Sequence, residues 1–219
     1  MMKVTFDLLA PIYDAFMPAP DPEQLRRLLR LPTPGRMLDA GGGTGRVASR
    51  LLPMVGSLVV NDLSAPMLAR AQAKGTLRPV QSDVERLPFA DGCFSRVFAV
   101  DAFHHFSDHQ AAVRELVRVL SPHGRLVIKE PDIQRFSIKL VALIERLGGM
   151  DSHFRSGEEI SALVAARGLD PRIVCLSSFF TCVVADKGQR GSRGCEAGDP
   201  GGACSGRATE DGRGWNHGT

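Results

Sequence analysis

Apolar and polar positions along the chain follow two different periods. Short apolar runs at 36–39, 58–61, 97–100 and 126–129, each bounded by turn residues, predict buried strands. Helical spacing fills the gaps between them. Residues 45–52 read as a helix stopped at Pro53, and 65–74 as a helix with Ser64 as N-cap and Gly75 as stop. A third helix, 108–120, has Ser107 and Gln110 in capping-box spacing, places Val113, Leu116, Val117 and Leu120 on one face, and ends at 121–124. Strand–helix–strand alternation implies parallel strands with right-handed crossovers. A last helix, 157–167, precedes two β-rich runs, 172–176 and 179–185. These are too close for a helical crossover, so the final strand is expected to run antiparallel. The body, 1–186, therefore reads as one doubly wound α/β domain.

Composition sets the limits of that body. The chain has 219 residues, 43% apolar and 23% charged, enough for a medium-sized domain with a real core. From 187 to 219 Gly, Arg, Ser, Asp and Glu dominate, and Trp215 has no apolar neighbours. Such a tail cannot bury enough apolar surface to offset its ordering entropy, so disorder is expected there. The net charge of +3 gives little reason to expect nucleic acid as a partner. No apolar window approaches a membrane span, and the first ten residues carry Asp7 and no basic region, so neither stable membrane insertion nor a secretory signal is expected. The five cysteines are odd in number, widely spaced and without a C-x-x-C, which suggests neither a disulfide framework nor a metal site. A cytoplasmic protein, monomeric or homodimeric, is the expectation.

The chemistry concentrates after the first predicted strand, in Asp39-Ala40-Gly41-Gly42-Gly43-Thr44-Gly45. Glycines there permit positive φ and close approach of a ligand to the backbone. At the carboxyl end of a parallel strand, this is where doubly wound folds bind nucleotides. The loop alone is ambiguous, because Gly43 to Ala48 also fits G-x-G-x-x-A, the dinucleotide fingerprint. Two more acids extend the pattern. Asp62 ends the second strand, where a carboxylate can accept ribose hydroxyls, and Asp83 follows the third apolar run, placed for a purine amino group. At successive strand ends, Asp39, Asp62 and Asp83 would line one crevice.

From about Phe6 to Lys187 the chain resembles the class I S-adenosylmethionine-dependent methyltransferases, closest to the small-molecule branch of ubiquinone and menaquinone biosynthesis. Phe6-Asp7, Ala10 and Tyr13-Asp14 resemble the branch's amino-terminal motif, and Leu38 to Gly45 its first motif. Asn61-Asp62-Leu63-Ser64 with Met67-Leu68 is similar to the second. Asp83 to Phe89, Asp101 to Phe106 and Glu115 to Leu126 match the later ones. The resemblance implies a Rossmann-like, mostly parallel seven-stranded sheet with the last strand antiparallel. It also implies S-adenosylmethionine as cofactor. Asp39 with Gly41, Gly43 and Gly45 would face the methionine part, Asp62 and Leu63 the ribose, and Asp83 with the Val84 backbone the adenine. Asp101 would lie near the methyl group. Two positions depart from the pattern: Ser95 stands where an acidic residue is common, and Asn61 where glycine is common.

A sulfonium methyl is already activated, so transfer needs positioning and exclusion of water more than a covalent nucleophile. A small, apolar acceptor is expected, attacking in line. A base matters only for an acceptor that arrives protonated, and His104, His105, His109, Tyr13 and His153 are the candidates, with His104, His105 and Tyr13 placed first. His104 and His105 fit a structural histidine–backbone contact as well, and His109 reads as a solvated first-turn residue. The apolar stretch 136–147 suits a pocket cover or core packing, and 153–155 a surface loop or pocket wall. The rival functions are a nicotinamide-dependent oxidoreductase and a cofactor-binding scaffold without catalysis.

Overall fold

In the computed structural model the described residues are Ala10, Asp14, 21–131, 153–175 and 180–188. Helix α1 (Pro22–Leu29) leads into β1 (Thr33–Ala40), followed by the short α2 (Ala48–Leu51), β2 (Val55–Asp62), α3 (Ala65–Ala73) and β3 (Arg78–Gln81). Strand β4 (Phe94–Val100), α4 (His109–Val119), β5 (Leu120–Pro131), α5 (Gly157–Ala165), β6 (Asp170–Cys175) and β7 (Phe180–Asp186) complete it. The seven strands lie in the order β3-β2-β1-β4-β5-β7-β6. The first five pair in parallel, and β7 runs antiparallel to both β5 and β6. That is the sheet the alternation and the two crowded final runs led one to expect.

Strand residues alternate between two buried faces, as a sheet covered on both sides requires. Leu38, Val97 and Ala99 pack towards α4 and α5 with Leu116, Ile160 and Val164. Met37, Phe98 and Val100 pack towards α1, α2 and α3 with Leu29, Leu51 and Leu68. Each of the larger side chains contributes about 1.5–3 kcal/mol by leaving water. The end of α1 is fastened from the sheet, where Arg125 donates to the Leu28 carbonyl and Arg96 to that of Leu29.

Several local expectations change. Gly45, at φ +70°, cannot begin a regular helix, so α2 starts only at Ala48 and passes into a 3-10 turn, Leu52–Met54. The N-cap of α4 is Asp108, not Ser107; its carboxylate accepts the N–H groups of Gln110 and Ala111. Ser64 caps α3 as its sequence suggested. The segment 121–124 does not merely end a helix but already belongs to β5. Ser95 donates to the Arg36 carbonyl and so braces β4 to β1 without a charge. The segment 136–147 and residues 189–219 lie outside the described residues.

Candidate functional site

The carboxyl ends of the parallel strands open on a crevice, the place where doubly wound sheets bind their ligands. Gly41 and Gly43 form its floor, and Asp62 and Leu63 one rim. Met67, Val84 and Phe106 supply apolar wall, while Asp101, Ala102 and His105 close the far end. The glycines are needed for different reasons. Gly41, at φ +70°, would place a Cβ 2.7 Å from that of Ala102. Gly43, at φ +53°, faces open space, the nearest atom to its virtual Cβ being Asp62 Oδ2 at 3.9 Å. Gly45 stands apart from the crevice; a Cβ there would meet Leu77 at 2.6 Å and Ala71 at 3.2 Å, so it serves packing against α3.

The acids are held in distinct ways. Asp62 accepts the Gly43 N–H on Oδ2 and the Ser64 N–H on Oδ1, both at 2.9 Å, which ties β2 to the glycine loop. Asp39 is buried beneath Gly42, and burial pushes its carboxyl up to about 8, with Arg46 opposing and Asp62 adding to the rise. It opens instead on a smaller cleft beside the loop, shared with Arg46 and Asp101. Asp83 does not line the crevice; it accepts the Glu85 N–H and caps the 3-10 turn that presents Val84. Asn61 donates its amide to Ser82 Oγ and the Ser82 carbonyl, at 2.6 and 2.8 Å, fastening the ends of β2 and β3 together.

Asp101 follows β4 at φ +53°, a conformation non-glycine residues seldom adopt except where surroundings enforce it. Its N–H donates to the Lys129 carbonyl, and its carboxylate meets Arg46 at 2.9 Å and Lys129 at 3.5 Å. Next to it, His105 faces the crevice, and burial with neighbouring His104 drives its imidazole down to about 2. His104 turns to the Glu130 carboxylate and stacks on Phe154, and its carbonyl accepts the His153 N–H. His109 is buried rather than solvated. Its Nε2–H donates to the Phe103 carbonyl, its Nδ1 accepts from Arg155, and burial lowers its basicity. Residues 153–155 thus pack onto this loop. Tyr13 lies outside the described residues, while Asp14 takes Thr44 and Lys74 as partners at the loop's edge.

Arg46, Glu130, Met67 and Phe106 carry weight here that the sequence reading did not give them. Glu130 had a visible signal: Lys129-Glu130 ends an apolar strand with charge, just as Asp39 and Asp62 do. The geometry fits an adenosyl sulfonium amino acid, with apolar wall for a purine, a rim carboxylate for a ribose and a charged cleft for the amino-acid end.

Comparison with known proteins agrees. A family model described as a methyltransferase domain matches residues 38–128. A demethylmenaquinone methyltransferase of Thermus thermophilus is 34% identical over 172 residues, covering 66% of this chain and 78% of that protein. A ubiquinone/menaquinone biosynthesis C-methyltransferase of Stutzerimonas stutzeri is 36% identical over 115 residues, 47% of this chain and only 45% of that protein. The fold is shared with a SAM-dependent methyltransferase structure from Aquifex aeolicus, at a TM-score of 0.66 and 21% identity, covering 85% of this chain and 98% of that one. The chain belongs to the class I S-adenosylmethionine-dependent methyltransferases, and S-adenosylmethionine is its cofactor. None of these findings favours a nicotinamide-dependent oxidoreductase.

Proposed function

We propose that this chain methylates a small, largely apolar acceptor of the hydroquinone type, with the acceptor entering beside His105 and Phe106. The observation that carries this reading is the far end of the crevice, where the weakly basic imidazole of His105 stands with Ala102 and Phe106. The name of the Thermus relative supports a quinol acceptor. Bound cofactor supplies a methyl group already activated by its sulfonium. Asp62 holds the ribose side, and Asp101 fixes the end of β4 near the reacting centre. An imidazole as weakly basic as His105 orients an acceptor hydroxyl through Nδ1 or Nε2 rather than storing its proton. The acceptor atom attacks the methyl carbon in line with the carbon–sulfur bond; the new bond forms as that bond breaks to leave a neutral thioether, and the acceptor's proton leaves to solvent. Tyr13 remains a further candidate at the acceptor side, and Asp83 orders the adenine wall through Val84.

We also place the enzyme in the cytoplasm, as a monomer or homodimer acting without nucleic acid; the methyltransferase domain extends to Lys187, whose side chain and backbone bond to the body, one residue past the expected boundary at 186. No helix among the described residues is long and apolar enough to cross a membrane. The test is a cofactor-dependent methyl-transfer screen over quinols, phenols, amines, thiols and lipids. Turnover of reduced quinones, lowered at least about tenfold in His105→Phe, is expected from loss of a placed hydrogen bond. Turnover confined to amines or thiols would overturn the acceptor assignment.

A further inference from the structure

The far end of the crevice is backed by a segment that does not line it. His105 and Phe106 face the crevice, whereas His153, Phe154 and Arg155 stand behind the turn that carries them. The His153 N–H donates to the His104 carbonyl at 2.7 Å. From this segment two chains of contact lead to the crevice. In the first, the Phe154 ring stacks on His104, centroids 4.4 Å apart and planes 9° apart, and the His104 ring lies 3.9 Å from that of His105. In the second, Arg155 Nε donates to His109 Nδ1 at 3.1 Å, and the His109 ring stacks on Phe103 at 4.5 Å. The Phe103 ring in turn meets Phe106 edge-on at 5.5 Å. These partners set the tautomer of His109: Nε2–H faces the Phe103 carbonyl at 2.9 Å, which leaves Nδ1 to accept from Arg155.

We propose that Phe154 and Arg155 are positioning residues for the methyl acceptor, the first acting through His104 and His105, the second through His109, Phe103 and Phe106. Close-packed rings transmit a displacement rather than absorb it. A small misplacement of the wall at the reacting end is costly to an in-line transfer. Glu130 holds the turn from the side of β5, through the Ala102 and Phe103 N–H groups and His104. The segment 153–155 holds it from the side of α5, and its arginine has a fixed base there. Arg155 Nη1 pairs with Glu159 at 3.2 Å, and Glu159 is a member of the capping box that starts α5. Both chains of contact run through 103–109, whereas Gly43 and Asp62 belong to the ends of β1 and β2, so the acceptor should feel a change that the cofactor does not. The inference rests on the reading that places the acceptor beside His105 and Phe106.

The experiment compares the native enzyme with Arg155→Met, Arg155→Lys and Phe154→Leu, using naphthohydroquinone as acceptor. In Arg155→Met and Phe154→Leu the KM for the acceptor should rise at least about fivefold, while S-adenosylhomocysteine affinity, by calorimetry, stays within about twofold. Arg155→Lys keeps a donor for His109 and should recover part of the loss. Imidazole NMR supplies a second measurement that needs no acceptor: the His105 resonances should shift in Arg155→Met and Phe154→Leu. Arg155 is exposed, so its variants carry the test should Phe154→Leu fail to fold. A folded Arg155→Met with an unshifted His105 would overturn the proposal, whatever the acceptor. An unchanged acceptor KM would overturn it too, as would equal losses of acceptor and cofactor affinity. A shifted His105 in the variants, with a native enzyme that does not turn over the hydroquinone, would instead overturn the acceptor reading and leave the positioning chain supported.

Discussion

Glu130 Oε2 lies 2.5 Å from His104 Nδ1, while Oε1 of the same carboxylate accepts the N–H groups of Ala102 and Phe103 at 3.0 and 2.7 Å. One buried side chain at the end of β5 therefore holds the whole turn that carries Asp101 and His105. Glu130→Ala takes the acceptor from the buried Ala102 and Phe103 N–H groups and the carboxylate from His104, and should cost about 2 kcal/mol or more. Glu130→Gln keeps an oxygen for the two backbone groups, so its loss should be clearly smaller. Denaturant unfolding of the two variants measures the difference; a Glu130→Ala protein as stable as the parent would contradict the arrangement.

Asp62→Ala should weaken binding of S-adenosylhomocysteine by about 1–3 kcal/mol, through loss of a charged acceptor. The Gly43 and Ser64 N–H groups lose their shared partner at the same time. Titration calorimetry on the folded variant gives the answer, and unchanged affinity would mean that Asp62 does not face the ribose.

Two glycine substitutions separate crowding from backbone strain. Gly41→Ala meets both positive φ and the Ala102 Cβ at 2.7 Å, whereas Gly75, at φ +102°, has nothing within 4 Å of its virtual Cβ. The first should lose more stability and also cofactor affinity, the second only the ~1 kcal/mol or so of left-handed strain. Equal losses in thermal unfolding would show that crowding at Gly41 is relieved.

The burial of Asp39 has a definite sign in pH. Its carboxyl is raised from 3.8 to about 8, so between those values the folded protein keeps a proton that the unfolded chain has released. The unfolding free energy should therefore be complete below about pH 4 and decline as pH rises towards 8. Asp39→Asn should flatten that decline. A parent protein whose stability climbs steadily from pH 4 to 8, with no change in slope on substitution, would refute this account.

Lys187 sets where the body can be cut. Its Nζ donates to the Val117 and Leu120 carbonyls, at 2.6 and 2.5 Å, and its backbone pairs with His123 and Gly124. A chain ending at Gly188 should keep the parent's melting temperature if the remaining tail contributes no burial, while one ending at Asp186 should melt several degrees lower. Equal melting of the two would show that these bonds contribute nothing.

The strand order and the glycine crevice were legible because they rest on local signals: buried apolar runs, a Gly-rich turn, acids at strand ends. Asp62 lies on the crevice rim at the strand end where that pattern put it, while Val84 was named only through the family resemblance. What escaped depends on contacts across the fold. His109 looked solvated because it opens an amphipathic helix, yet Phe103 and Arg155, six and 46 residues away, bury it. Arg46 looked like an ordinary helix residue until Asp101, 55 positions on, was brought beside it. Gly45 and Asp83 fitted a binding motif by spacing, while the first packs against Leu77 and the second caps its own turn.

The place of β7 between β5 and β6 has a consequence for biosynthesis. Every described residue lining the main crevice has been made by Phe106, but the carboxylate that pins Ala102 comes 28 positions after Ala102, and the strand that shields β5 comes later still. A nascent chain emerging amino end first passes through a stage with the apolar edge of β5 bare, open to pairing with a neighbour. Synthesis, rather than the finished molecule, is then the point at which this protein is most exposed to aggregation.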